Sequence, residues 1–161
     1  MQLRPHQEKA IKAMSKHDKG QVIVPTGGGK TICMIQDAIE QFKSDRLKTI
    51  VVVAPRILLA NQLCEEFLEF IDDVDVLHVH SGETHHDSTT NSHKIEEWHW
   101  RSKRNQLIFT TYHSLHKIQK ATAMLADTVY FDEAHNATQK NFVEAVEHHS
   151  MYVLRNYFFT A

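Results

Sequence analysis

Two short stretches hold residue types that could act together on one anionic group. Val24-Pro25-Thr26-Gly27-Gly28-Gly29-Lys30-Thr31 follows a short apolar run, Gln21 to Val24, and precedes a segment of helical periodicity. Consecutive glycines let the backbone turn tightly and gather several N–H groups on one concave surface. At a helix N-terminus such a surface suits phosphate oxygens. Lys30 adds a mobile positive charge for β- and γ-phosphates, and the Thr31 hydroxyl a ligand for Mg²⁺. Val24 stands where the G-x-x-x-x-G-K-[ST] pattern has its first glycine. A glycine-rich turn followed by Lys-Thr through chance would have the same composition, but the strand before it and the helix after it argue for a phosphate-binding loop.

The second stretch is Asp132-Glu133, directly after the apolar run Thr128-Val129-Tyr130-Phe131. In a parallel sheet ligands gather at the carboxyl ends of strands, which would bring Asp132 near the loop. Asp132 can hold Mg²⁺ through water, while Glu133 orients and polarises an attacking water. Gln7 offers a donor and an acceptor, as reading the N6/N7 edge of adenine requires. Without the loop that follows it, a glutamine in a first helix would simply be exposed.

These residues need a frame. Pro5 suits the first turn of a helix, and Ala10, Ile11 and Met14 give that helix an apolar face. Ile32, Ile35, Ala38, Ile39 and Phe42 line a second helix. Thr49 to Val53 is a β-branched run without alternation, as in a strand covered on both faces. Leu59, Leu63, Phe67, Phe70 and Ile71 mark the next helix, and Val74 to Val79 a strand. Ser81 to Ser92 is polar and aperiodic, which predicts a mobile surface loop. His93 to Arg104 follows as a helix with Ile95, Trp98 and His99 on one face and Trp100 off it. Its end carries the compact basic cluster Arg101, Lys103 and Arg104, a solvated helix end or a phosphate contact. Leu107 to Thr110 is a strand, Tyr112 to Lys120 a short helix, and Thr128 to Phe131 a strand. Phe142, Ala145, Val146 and His149 pattern a last helix, before a strand over Tyr152 to Phe159. Strands alternating with helices predict an α/β fold, a mainly parallel sheet with helices on both faces.

With 161 residues, 42% hydrophobic and 24% charged, the chain fits one domain with an ordinary core. A formal charge of −2 argues against nucleic-acid binding through bulk positive charge, although a local basic groove stays open. Cys33 and Cys64 form no C-x-x-C pair and read as buried thiols of a reducing compartment. No run reaches membrane-spanning length and no signal-peptide pattern opens the chain, which predicts an intracellular protein, cytoplasmic or in the nucleoid or nucleus. Of 13 histidines, those at 78, 80, 85 and 86 crowd together. Without companion cysteines at regular ligand spacing, they read as solvated loop histidines.

The motifs in order resemble the first RecA-like domain of superfamily 2 helicases and translocases. Leu3 to Gln7 resembles the family's adenine-reading region and Pro25 to Thr31 its motif I. Ala54-Pro55-Arg56-Ile57-Leu58-Leu59-Ala60-Asn61-Gln62 resembles motif Ia, and Thr110-Thr111-Tyr112-His113-Ser114-Leu115 the T-T-Y-x-x-L motif. Asp132 to His135 has the DEAH form of motif II, and Thr160-Ala161 looks like the start of motif III. The resemblance implies a RecA-like P-loop NTPase domain over residues 1–161, with ATP and Mg²⁺ as cofactors. Its nucleotide would be held by Gln7, Pro25, Thr26, Gly27, Gly28, Gly29, Lys30 and Thr31. Catalysis would fall to Lys30, Asp132 and Glu133, and the metal to Thr31 and Asp132. Pro55, Arg56, Thr110 and Thr111 would grip a nucleic-acid backbone, DNA in preference to RNA. His135 and Thr160 would couple nucleotide state to that grip. The resemblance also implies a second RecA-like domain with arginines that reach the γ-phosphate. The chain would then be a fragment, slow in hydrolysis by itself. A P-loop kinase or transferase would share motif I without needing the rest of the series. An inert ATP-binding scaffold would have lost the lysine or an acid, and both are present.

Overall fold

The computed structural model describes residues 2–24 and 29–160. Pro25, Thr26, Gly27 and Gly28, four of the expected phosphate-binding residues, lie outside the described residues. Helix α1 (Pro5–Lys16) starts as expected, with Pro5 in its first turn. The Gln7 side chain closes that turn, its Oε1 accepting from Arg4 N–H at 2.9 Å. Strand β1 (Lys19–Ile23) leads toward the loop, and α2 (Lys30–Phe42) leaves it. The chain continues through β2 (Thr49–Ala54), α3 (Ile57–Phe70) and β3 (Val74–Val79). A two-residue strand β4 (Asp87–Ser88), α4 (Ser92–Arg101) and β5 (Asn105–Thr111) follow. Then come α5 (Leu115–Lys120), β6 (Thr128–Phe131), a 3-10 turn (Ala134–Thr138), α6 (Val143–Tyr152) and β7 (Arg155–Thr160).

The seven strands run in the order β1-β7-β6-β2-β5-β3-β4, and every neighbouring pair is parallel. Side chains alternate across the pleat, so each strand feeds two cores. Ile50, Val52 and Ala54 of β2 join Met14, Met34, Ile35 and Phe67 on the α1–α3 side. Val51 and Val53 join Ile95, Trp98, Leu115 and Val146 on the α4–α6 side. All six residues of β2 are buried, which is why its sequence does not alternate. The expected fold class is the observed one.

Four boundaries differ from the sequence reading. Helix α4 stops at Arg101 because Arg104 is drawn to Asp75, its Nη2 donating to Oδ1 at 2.6 Å. The helix expected from Tyr112 starts only at Leu115, Tyr112 being held in the preceding turn by its own hydroxyl. Tyr152 ends α6 and does not open the last strand. The stretch 81–92, expected to be free of structure, contains β4, which pairs Asp87 with Leu77 and Ser88 with His78.

A buried ion pair joins the elements around the loop. Arg155 of β7 donates from Nη1 and Nη2 to the two Asp37 oxygens of α2 at 2.9 and 2.8 Å. Tyr130 of β6 donates to the same carboxylate, and Arg155 also reaches the Met14 carbonyl of α1. Burial alone would lower the Arg155 pKa, but its bonds to Asp37 and that carboxylate's charge hold it above the ordinary value. Sequence reading passed over both residues. The available signal was a pair of opposite charges, each embedded in an otherwise apolar segment.

Candidate active site

Gly29 ends the loop and caps α2 in the left-handed region, at φ 75° and ψ 48°. A side chain there would be strained by its backbone and would also collide, a Cβ standing 2.2 Å from Gln7 Nε2. Gln7, buried on α1, donates from that nitrogen to the Gly29 carbonyl at 3.4 Å. Both ends of its carboxamide are therefore engaged within the protein. This contact fastens the first helix to the end of the loop.

Lys30 is the first residue of α2. Its Nζ lies 3.0 Å from Asp132 Oδ1 and forms a closer bond with Glu133 Oε1. Partial burial tends to lower the Lys30 pKa, but the Glu133 bond and the Asp132 charge outweigh it and hold the ammonium above its usual value. Asp132 follows β6, extending the ladder by donating N–H to the Val53 carbonyl at 2.8 Å. Its own carbonyl accepts from Tyr112 O–H at 2.7 Å. The carboxyl group is almost fully buried, and that burial raises its pKa despite the opposing charge of Lys30. Asp132 Oδ1 sits at ion-pair distance from Lys30 and this buried oxygen is otherwise uncompleted. An uncompleted carboxylate oxygen beside a lysine fits a divalent cation or its bound water. Glu133 takes φ 48°, ψ 59°, a left-handed conformation uncommon outside glycine and frequent at functional sites.

The other expected residues fall on neighbouring strand ends. Pro55 and Arg56 follow β2, with Arg56 exposed at the start of α3. Thr110 and Thr111 end β5, paired with Val53 and Ala54. Both threonine hydroxyls are engaged within the protein. Thr110 is fully buried and donates to the Val79 carbonyl at 2.7 Å. Thr111 Oγ1 accepts from Ser114 N–H at 3.2 Å. Their hydroxyls hold β3, β5 and the following turn together. His135 is exposed on the 3-10 turn, its Nδ1 3.8 Å from Glu133 Oε2. Thr160 lies at the end of β7, where its carbonyl accepts from Val24 N–H at 3.0 Å. Thr31 is the second residue of α2 and partly buried. Tyr112, which sequence reading treated as part of a motif without a role, anchors the Asp132 backbone.

The sequence profile of the family described as Type III restriction enzyme, res subunit (ResIII) matches residues 1–159. The chain belongs to the ResIII family. Among curated proteins no sequence match is found. The ResIII chain resembles the Type ISP restriction-modification enzyme LlaGI, solved as a nuclease-deletion mutant with a DNA substrate mimic. That match has 22% identity and a TM-score of 0.79, and covers 100% of this chain and 17% of that one. LlaBIII, a Type ISP enzyme solved bound to DNA, matches with 24% identity and a TM-score of 0.79, over 99% of this chain and 13% of that one. The UvsW helicase of bacteriophage T4 matches with 13% identity and a TM-score of 0.72, over 99% and 52%. The ResIII chain thus spans a small part of the Type ISP enzymes and about half of UvsW. It has the fold of a first RecA-like domain of superfamily 2. No helix among the described residues is long and apolar enough to cross a membrane.

Proposed function

We propose that this domain binds and turns over ATP for a nucleic-acid motor that acts on DNA in preference to RNA. The cluster of Lys30, Asp132 and Glu133 at the carboxyl ends of parallel strands carries the reading. In this reading Lys30 exchanges its carboxylate partners for β- and γ-phosphate oxygens when a nucleotide enters. Freed of the lysine, Glu133 accepts a hydrogen bond from the attacking water and aligns it. Thr31 and Asp132 would hold a magnesium ion, which supplies charge neutralisation for the phosphates. Gln7, beside Gly29, would read adenine by exchanging its bonds to Arg4 and Gly29 for the base edge. Pro55 and the exposed Arg56 lie along the proposed nucleic-acid path, with Thr110 and Thr111 shaping it through the backbone. His135 and Thr160, next to the acids and to the loop, relay nucleotide state.

The restriction-enzyme family and the DNA-bound Type ISP structures support DNA over RNA. A second RecA-like domain would bring the arginine that stabilises transition-state charge, worth about 10³–10⁵ in rate in related NTPases. The 161-residue chain alone would then bind ATP and hydrolyse it slowly. The test is ATP hydrolysis by the full-length protein with and without single- and double-stranded DNA and RNA. DNA-stimulated turnover, abolished by Lys30→Ala and by Glu133→Gln, is expected. Unstimulated turnover with phosphorylation of a small acceptor would replace the motor with a kinase. Absence of any hydrolysis would leave an inert scaffold.

A further inference from the structure

The histidine cluster is not the solvated group that its sequence suggests. His78 lies on β3, on the face beneath α3, and His80 follows just past the strand's end; they are 0% and 2% exposed. The missing companion cysteine comes from α3, where Cys64 is fully buried against the same face. The segment after β3 then returns over the site. Gly82 packs so closely on α3 that a Cβ would stand 2.4 Å from Ile57 Cγ2. Asn61 of α3 donates to the Glu83 carbonyl at 3.3 Å, and β4 pairs with β3. These contacts bring His86 onto His78, the rings stacked with centroids 5.6 Å apart.

We propose that Cys64, His78 and His86 form a binding site for a zinc-class divalent ion. Their ligand atoms all lie within 4.8 Å of one another. Bonds of about 2.0–2.3 Å at tetrahedral angles would place such atoms roughly 3.3–3.6 Å apart. The adjustment required is about an ångström, within reach of the exposed His86 side chain. His78 Nε2 supplies the second observation: this buried nitrogen of a cluster residue has no hydrogen-bond partner. One thiolate and two imidazoles select zinc or a similar borderline ion over magnesium or calcium. A cleft of ≈ 620 Å³, lined by Cys64, His78, Glu83, His85 and His86 among others, gives an entry path and space for a water as fourth ligand.

A proton relay sets the uncharged state of this site. Gly82 N–H donates to His80 Nδ1 at 3.1 Å. His80 therefore carries its proton on Nε2 and donates it to His78 Nδ1 at 3.0 Å, leaving the His78 proton on Nε2. Metal entry replaces that proton and the Cys64 thiol proton. His78 then keeps the shared proton on Nδ1 and His80 gains one at its own Nδ1, so the Gly82 amide turns away. The net release is one proton per ion. Burial holds His78 at about 4, neutral near physiological pH as a ligand must be, and holds the Cys64 thiol at about 12, so the ion has to displace its proton. The bound ion would clamp the segment after β3 onto α3.

The assignment is independent of the nucleotide reading. Purified protein, stripped with chelator, is titrated with Co²⁺ alone. One equivalent should produce tetrahedral visible bands and a sulfur-to-cobalt charge-transfer band, all displaced by Zn²⁺. Cys64→Ser should remove the charge-transfer band. His86→Ala, at an exposed position that does not threaten folding, should weaken binding by at least about tenfold, the loss usual even for an outer-shell partner. His85→Ala should bind like the parent. Zinc should raise the thermal midpoint of the parent by more than that of His86→Ala. No cobalt spectrum in the parent, a spectrum without a sulfur component, or undiminished binding by His86→Ala would each overturn the site.

Discussion

Lys30 Nζ lies 3.0 Å from Asp132 Oδ1 across the first turn of α2 and the end of β6. The cation expected to meet phosphate is thus stored on the acids expected to manage metal and water. Removing it leaves two adjacent carboxylates without their counter-charge, so Lys30→Ala should impair nucleotide binding as well as chemistry. Hydrolysis by the full-length protein should fall by about 10²–10³-fold, the usual cost of one preorganised charge donor. Steady-state ATPase assays check this, and wild-type turnover by the variant would dismiss the assigned role.

Gly29 serves α2 through its left-handed conformation and serves α1 through lack of a side chain. Gly29→Ala should cost roughly 1–2 kcal/mol for the backbone alone, plus the displacement of Gln7. The double variant with Gln7→Ala relieves the collision and retains the backbone penalty. Denaturant unfolding of the two variants separates the terms; equal stability would mean that the collision costs nothing.

Asp37 and Arg155 form a bidentate pair with side chains 4% and 10% exposed. Asp37→Ala should destabilise the fold by about 3–5 kcal/mol, because it strands a buried guanidinium. Replacing both, Asp37→Leu with Arg155→Met, should recover most of that loss. Urea unfolding decides, and a double variant no more stable than the single would contradict the account.

His149 on α6 is buried, and its Nδ1–H donates to the Ala145 carbonyl at 2.8 Å. Burial lowers its pKa from 6.5 to about 4, against the pull of that bond and with help from neighbouring His148. The unfolded chain takes up a proton first as the pH falls. Stability from this residue is therefore full above 6.5, falls between 6.5 and about 4, and levels below. The total is about 3 kcal/mol. His149→Gln keeps a donor and removes the titration, so the difference in unfolding free energy between variant and parent should change across that window. A constant difference would refute the assignment.

Arg56, exposed at the start of α3, should act as a phosphate contact. Arg56→Ala should weaken binding to DNA of any sequence and reduce the salt slope of log affinity by about 1. Fluorescence anisotropy over a range of salt concentrations measures both, and an unchanged slope would place the nucleic acid elsewhere.

Local pattern made the frame legible. The unalternating run in β2 announced a strand covered on both faces, and Pro5 located the start of α1. Lys30, Asp132 and Glu133 were legible because their strand–loop–helix contexts are set within a few residues. The direction of the Thr110 and Thr111 hydroxyls was not legible, because a motif gives the residue and not where its side chain points. In a central strand such as β5, that direction follows from what the neighbouring strand offers, here the Val79 carbonyl.

Sequence alone determined the α/β fold and the order of its main elements, because periodicity and turn chemistry are local. Tertiary structure decided what meets what. It set Lys30 on Asp132, drew Asp37 to Arg155, and seated Gln7 against a glycine that admits no side chain. It also turned three of the crowded histidines into a buried pair with a third stacked above and a cysteine from another helix alongside. Strand pairing and helix packing fix such contacts between residues far apart in the chain, and no spacing along the chain encodes them.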